Sequence, residues 1–196
     1  MMKLVFASNN KGKIKELNEI LSKKLPDIEI LSLDDIGYKG DIIEDGETFA
    51  DNAKIKASVP ASLGYIGVGD DSGLCVDYLG GEPGVYSARY SGLGNEGNIE
   101  KLLKNLDGVP AEKRTAHFTC SICCVFPDGK VITAEGRADG VILEECKGQG
   151  GFGYDPVFYF PSLGKTFAQI SQEEKNKVSH RANALAQFAE KIGELC

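Results

Sequence analysis

Leu4, Val5, Phe6 and Ala7 form an unbroken apolar run that gives way to polar Ser8-Asn9-Asn10. A short apolar run bounded by turn residues predicts a buried strand. Ile14, Leu17, Ile20 and Leu21 then recur at helical spacing between Lys11 and Lys24, and Pro26 marks the end of that helix. Ile28 to Leu33 predicts a second strand, followed by a polar loop from Asp34 to Glu47 and a helix capped by Thr48 that reaches Ser58. Tyr65 to Gly69 and Leu74 to Tyr78 predict two strands flanking a turn at Asp70-Asp71-Ser72-Gly73. A long glycine-rich connection from Gly80 to Gly97 precedes a helix from Asn98 to Leu106, and its length inside a compact domain points to function.

Thr115 to Phe126 and Lys130 to Val141 are strand-like runs joined by Pro127-Asp128-Gly129, a hairpin expected to build a second lobe. A short strand near Val157 to Phe160 and a final helix from Arg181 to Leu195 complete the pattern. Strands interleaved with helices, plus one long antiparallel pair, predict an α/β protein with a mixed sheet.

Composition bounds what such a fold can do. The chain has 196 residues, enough for one domain or two closely packed lobes. Lys and Arg total 22 against 29 Asp and Glu, a net charge of −7 that disfavours nucleic acid or any other broad polyanion as partner. Glycine is the outlier, 24 of 196 or about 12%, against roughly 7% in ordinary proteins. There is no signal-peptide core and no apolar stretch of membrane-spanning length, which predicts a soluble cytoplasmic protein without membrane contact. The six cysteines are accordingly expected as thiols, and Cys120-x-x-Cys123-Cys124, on a predicted strand and lacking further ligands, does not make a zinc site.

Three segments carry candidate chemistry. Ser8-Asn9-Asn10-Lys11-Gly12-Lys13 sits between a buried strand and a helix start, where free N–H groups and the helix dipole favour phosphate; a capping turn with solvated lysines gives the same pattern. Glu44-Asp45, Glu47 and the pair Asp70-Asp71 form an acidic set whose mutual repulsion a hard cation such as Mg2+ would offset, although turn carboxylates capping nearby N–H groups read equally well. Gly150-Gly151-Phe152-Gly153-Tyr154-Asp155 and Ser179-His180-Arg181 offer an aromatic face, a carboxylate and donors, the ingredients for holding a nucleobase. The plainer reading is a loop anchored by its aromatic residues and a structural histidine.

Taken in order, these segments resemble the inosine triphosphate pyrophosphatase (Ham1-like) family, also described as dITP/XTP pyrophosphatases, over nearly the whole chain. The resemblance rests on Ser8-x-Asn10-x-x-Lys13-x-x-Glu16, Thr48-Phe49 with Asn52-Ala53 and Lys56-Ala57, and Asp70-Asp71-Ser72-Gly73-Leu74. It continues through Pro83-Gly84-Val85-Tyr86-Ser87-Ala88-Arg89-Tyr90, Gly151-Phe152-Gly153-Tyr154-Asp155-Pro156, Glu174-Lys175 and Ser179-His180-Arg181. Asp51 stands where the family commonly has Glu, Gly69 where Ala often precedes the two Asp, and Gln169 where Glu is frequent.

The resemblance implies a single domain over residues 1–196, made of an elongated mixed sheet with two α/β lobes and a cleft between them, and a homodimer. It implies hydrolysis of purine nucleoside triphosphates (ITP, dITP, XTP) to monophosphate and pyrophosphate, with Mg2+ as cofactor. Ser8, Asn9, Asn10, Lys11, Gly12 and Lys13 would grip the phosphates, assisted by Lys56 and Lys175. Glu44 and Asp71 would hold Mg2+, with Asp71 as proton acceptor and Asp70 the competing assignment, while Ser72 would touch substrate. Phe152, Gly153, Tyr154 and Asp155 would form the base platform, and His180 with Arg181 would read the 6-keto edge, an argument that does not by itself exclude guanine. Two alternatives remain at this level: a nucleotide sensor without turnover, and a hydrolase of modified pyrimidine nucleotides.

Overall fold

The computed structural model describes residues 2–8 and 10–195, with Lys11 described by its backbone alone. Asn9 and the Lys11 side chain, both expected at the phosphates, lie outside the described residues. The chain order is β1 (Met2–Phe6), α1 (Lys11–Lys24), β2 (Ile28–Ser32), α2 (Phe49–Ser62), β3 (Ile66–Val76), α3 (Gly94–Asn105), β4 (Thr115–Val125), β5 (Val131–Ile142), β6 (Phe158–Phe160), β7 (Lys165–Thr166), α4 (Gln172–Val178) and α5 (His180–Gly193).

The strands form one seven-stranded sheet in the order β2-β1-β3-β4-β5-β6-β7. β1 pairs in parallel with β2 and β3, whereas β5, β6 and β7 pair antiparallel, so the sheet is mixed as predicted. Three sequence-based expectations need correction. The two strands expected around Asp70-Asp71 are one continuous strand, β3, and the acidic pair lies in its middle. The pattern misses α4, whose Ser171–Glu174 capping box compensates for its seven-residue length. The helix expected from Asn98 begins earlier, at Gly94.

The chain divides into two compact units: residues 1–71, 120–136 and 181–196 form one, and residues 72–119 and 137–180 the other. β4 and β5 therefore contribute to both units rather than forming a lobe of their own. The first unit's core sets α1 and α5 on the sheet, with Leu17, Leu21, Leu185 and Phe188 against Leu4, Phe6 and Ile122. The second is built on Leu102 of α3, Leu106 at the cap that follows it, Phe118 of β4, and Phe158 and Phe167. Cys120 and Cys124 join the first unit's main core while Cys123 packs with Ala53 and Ala57, so the Cys-x-x-Cys segment divides between separate clusters. Burial pushes the Cys120 thiol up to about 12, leaving it inert as a thiolate source.

Candidate active site

In the first unit, α2 and β3 are held unusually close. A Cβ added at Gly69 would collide with the Ala53 carbonyl, and one at Gly67 with that of Ala57. Thr48 caps α2 in a box with Asp51, which accepts from the Thr48 N–H at 3.1 Å and hydroxyl at 2.7 Å. The close approach sets Asn52 and Lys56, neighbours one turn apart on α2, against the acidic pair on β3.

Asp70 and Asp71 point to different partners, as adjacent residues of a strand must. Asp70 is buried and meets Lys13 Nζ at 3.0 Å through Oδ1 and Arg181 Nε at 3.2 Å through Oδ2. Arg181 Nη1 also donates to Glu16 Oε2 at 3.0 Å, closing a network in which two carboxylates and Arg181 are buried and Lys13 is partly exposed. Burial alone would raise the Asp70 carboxyl, but the charges of Lys13 and Arg181 hold it well below the usual carboxylate range.

Asp71 is the more open of the two, its side chain 15% exposed against 3% for Asp70. Its Oδ2 accepts from Asn52 Nδ2 at 3.0 Å, and its Oδ1 lies 3.5 Å from Lys56 Nζ. The same ammonium meets Glu44 Oε2 at 2.6 Å, so the two carboxylates expected to hold a metal share one cation. Burial, followed by the Glu44 charge, raises the Asp71 carboxyl against the pull of Lys56 and Asn52. Burial works against the Lys56 charge, yet Asp71, Asp70 and Glu44 together raise it.

These donors fit Mg2+. It takes hard oxygen ligands, commonly one or two carboxylates completed by water and phosphate oxygens. Glu44 and Asp71 supply that pair, and a positive atom already satisfies both. Among the described residues no group of three His, Cys, Asp or Glu converges, so an ion here would leave most of its shell to water or substrate.

At the start of α1, Asn10 accepts from the backbone N–H groups of Gly12 and Lys13 at 3.0 and 3.2 Å. Ser8 Oγ accepts from Asn10 N at 3.2 Å. The segment is thus a self-capped helix start with Lys13 directed to Asp70. Both the phosphate and the capping readings remain compatible with it.

The second unit holds the aromatic loop. Gly151 adopts φ 71°, and a Cβ there would strike the Asp155 carboxylate. Asp155 Oδ2 accepts from Phe152 N at 2.9 Å and from Lys175 Nζ at 2.5 Å, the latter a buried ion pair. The Lys175 ammonium lies 4.6 Å from the Phe152 ring centroid. Phe152 is 59% exposed, so the loop presents this ring to solvent. Tyr154 is core instead, its hydroxyl donating to the Ser87 carbonyl at 2.9 Å. His180 stacks on Phe118 at 4.8 Å between centroids, which fixes its plane. Ser72 follows Asp71 in β3 and is partly buried. Sequence reasoning left Glu16 and Asn52 without roles, although both stand within the quoted motifs.

The Ham1 family model matches residues 4–191. A dITP/XTP pyrophosphatase from Desulforamulus reducens is 49% identical over 197 residues, covering 99% of this chain and 97% of the relative. One from Listeria monocytogenes is 48% identical over 198 residues, covering 100% and 97%. Among solved structures, the Staphylococcus aureus Ham1 protein superposes with a TM-score of 0.90 at 40% identity, covering 99% of this chain and all of its own. The Mycobacterium abscessus nucleoside-triphosphatase/dITP/XTP pyrophosphatase does so with a TM-score of 0.80 at 41% identity, covering 95% and 97%. Full-length agreement in sequence and fold places this chain in the Ham1 family.

Proposed function

We propose that the protein is a Mg2+-dependent pyrophosphatase of deaminated purine nucleoside triphosphates, converting ITP, dITP or XTP to the monophosphate and pyrophosphate and so cleansing the nucleotide pool. Its relatives carry the name dITP/XTP pyrophosphatase over their full length. The observation that carries the mechanism is the convergence of Glu44 and Asp71 on one cation in the first unit.

Glu44 and Asp71 would hold Mg2+, which when bound acidifies water and offsets phosphate charge. A triphosphate brings roughly four negative charges, and chemistry of this kind rests mainly on positioning and electrostatic stabilisation. Ser8 to Lys13, with Lys56, would supply donors and positive charge on the phosphate side, and Ser72 a further contact. Asp71 takes the proton of the attacking water as the new oxygen–phosphorus bond forms at the α-phosphorus. The bond from that phosphorus to the bridging oxygen breaks, and pyrophosphate leaves with the electron pair. The greater exposure of Asp71 favours it over Asp70, which is almost fully buried between Lys13 and Arg181.

For the purine we assign the exposed Phe152 ring as stacking surface, with Gly153, Tyr154 and Asp155 shaping its loop. Lys175 holds that loop through Asp155. His180 and Arg181 would donate to a 6-keto oxygen. Adenine's 6-amino group is itself a donor and offers these donors no acceptor, the kind of mismatch by which a polar site rejects the wrong base. No described helix is long and apolar enough to cross a membrane. A cytoplasmic setting, a single two-lobed domain and a homodimeric state belong to the proposal, the last tested by sedimentation.

Asp71→Asn should lower kcat by about 10²–10⁴-fold, the usual contribution of a positioned proton acceptor, while calorimetry still registers nucleotide binding. Turnover near the wild-type rate would overturn the assignment of the proton acceptor.

A further inference from the structure

The two carboxylates proposed to share a cation come from different elements: Glu44 from the loop before α2, Asp71 from the middle of β3. Asn52 on α2 touches both elements. Its Oδ1 accepts from the Gly46 backbone N–H at 2.9 Å, and its Nδ2 donates to Asp71 Oδ2 at 3.0 Å. A carboxamide carries an acceptor and a donor on separate atoms of one carbon, whereas a carboxylate could accept from Gly46 but would repel Asp71. Asn52 is 2% exposed, so solvent is poorly placed to replace either bond. The loop is pressed onto it: a Cβ added at Gly46 would lie 2.8 Å from Asn52 Oδ1 and 2.9 Å from its backbone N. Lys56, one turn further along α2, meets the opposite oxygen of Asp71 and the carboxylate of Glu44.

We propose that Asn52 is a positioning residue for the metal-binding pair, a strut that sets the separation of the Glu44 loop from Asp71 and turns the Asp71 carboxylate so that Oδ1 faces the shared cation. This rests on the reading of Glu44 and Asp71 as metal ligands. Groups that orient metal ligands typically cost 10–100-fold in metal affinity or activity when removed.

The test uses the full chain and Mn2+ alone, titrated without nucleotide and followed by electron paramagnetic resonance, with a thermal melt for every variant. Asn52→Leu keeps the branched outline of the side chain and removes both bonds. It should bind Mn2+ about 10–100-fold more weakly and lose kcat towards ITP to a similar degree, with little change in KM at saturating Mg2+. Should Asn52→Leu fail to fold, Asn52→Ala is read in the same way. Wild-type Mn2+ affinity in the folded fraction, with only a lower melting temperature, would overturn the proposal and leave Asn52 a structural residue. Glu44→Gln and Asp71→Asn serve as references. If they lose Mn2+ and the Asn52 variant does not, the strut alone is refuted; if they too bind normally, the metal reading falls and the strut with it.

Discussion

Asp70 and Asp71 are neighbours in sequence with opposite electrostatic surroundings. Asp70 neutralises Lys13 and Arg181, and removing its charge deprives part-buried Lys13 and buried Arg181 of a shared partner. Breaking a buried pair in this way costs about 3–5 kcal/mol, so Asp70→Asn should lower stability to denaturant by that amount. Asp71→Asn should cost about 1 kcal/mol or less, because burial already works against the Asp71 charge. Equal stability of the two variants in urea would contradict this division of labour. Folding lowers the Asp70 pKa, so its stabilising contribution is fully present above the ordinary carboxylate range and is lost progressively as pH falls from that range through the lowered value. The acidic pair was legible in the sequence as a special place. Which aspartate serves which partner was not, since that depends on Lys13, Lys56 and Arg181, brought from three helices.

At the level of elements, the departures from the family pattern acquire physical roles. Asp51 and Gln169 each sit at the third position of a capping box, with Thr48 and Thr166 as caps. Asp, Glu and Gln all offer the oxygen acceptor that such a box needs. Gly69 differs in kind, because its missing side chain is what admits the α2 backbone. Gly69→Ala should therefore destabilise by about 1–3 kcal/mol, the usual cost of overpacking, and should weaken activity by displacing Asn52 and Lys56. A variant as stable and active as the parent would show that α2 can retreat freely. Hydrophobic periodicity located β1, α1 and the paired long strands β4 and β5 because their patterns are strong. It failed at β3, where Asp70, Asp71, Ser72 and Gly73 read as a turn between two strands. There helix packing and ion pairing override local propensity.

For the molecule as a whole, the charge of −7 argued against long polyanions and said nothing against a small one. The glycine excess becomes intelligible at particular places, such as Gly46 against Asn52 and Gly151 over Asp155. Global stability also carries a histidine signature. Burial, with the nearby Arg137 charge, lowers the pKa of His117 below its ordinary value, against the opposing pull of Asp77. A lowered folded pKa means that stability is full above about pH 6.5 and declines as pH falls from there through the folded value. Urea midpoints at pH 7.5 and 5.5 should differ more for the parent than for His117→Asn, and equal differences would remove His117 from the account. Family membership was readable in the ordered motifs, whereas the strut at Asn52 needed the fold to bring residues 46, 52 and 71 together. The central claim concerns substrate and cofactor, and pyrophosphate release measured across ATP, GTP, ITP, dITP and XTP, with and without Mg2+, tests it most directly. Mg2+-dependent turnover of ITP, dITP and XTP far above that of ATP is the expected result; comparable rates for ATP and ITP, or full activity without a divalent cation, would contradict it.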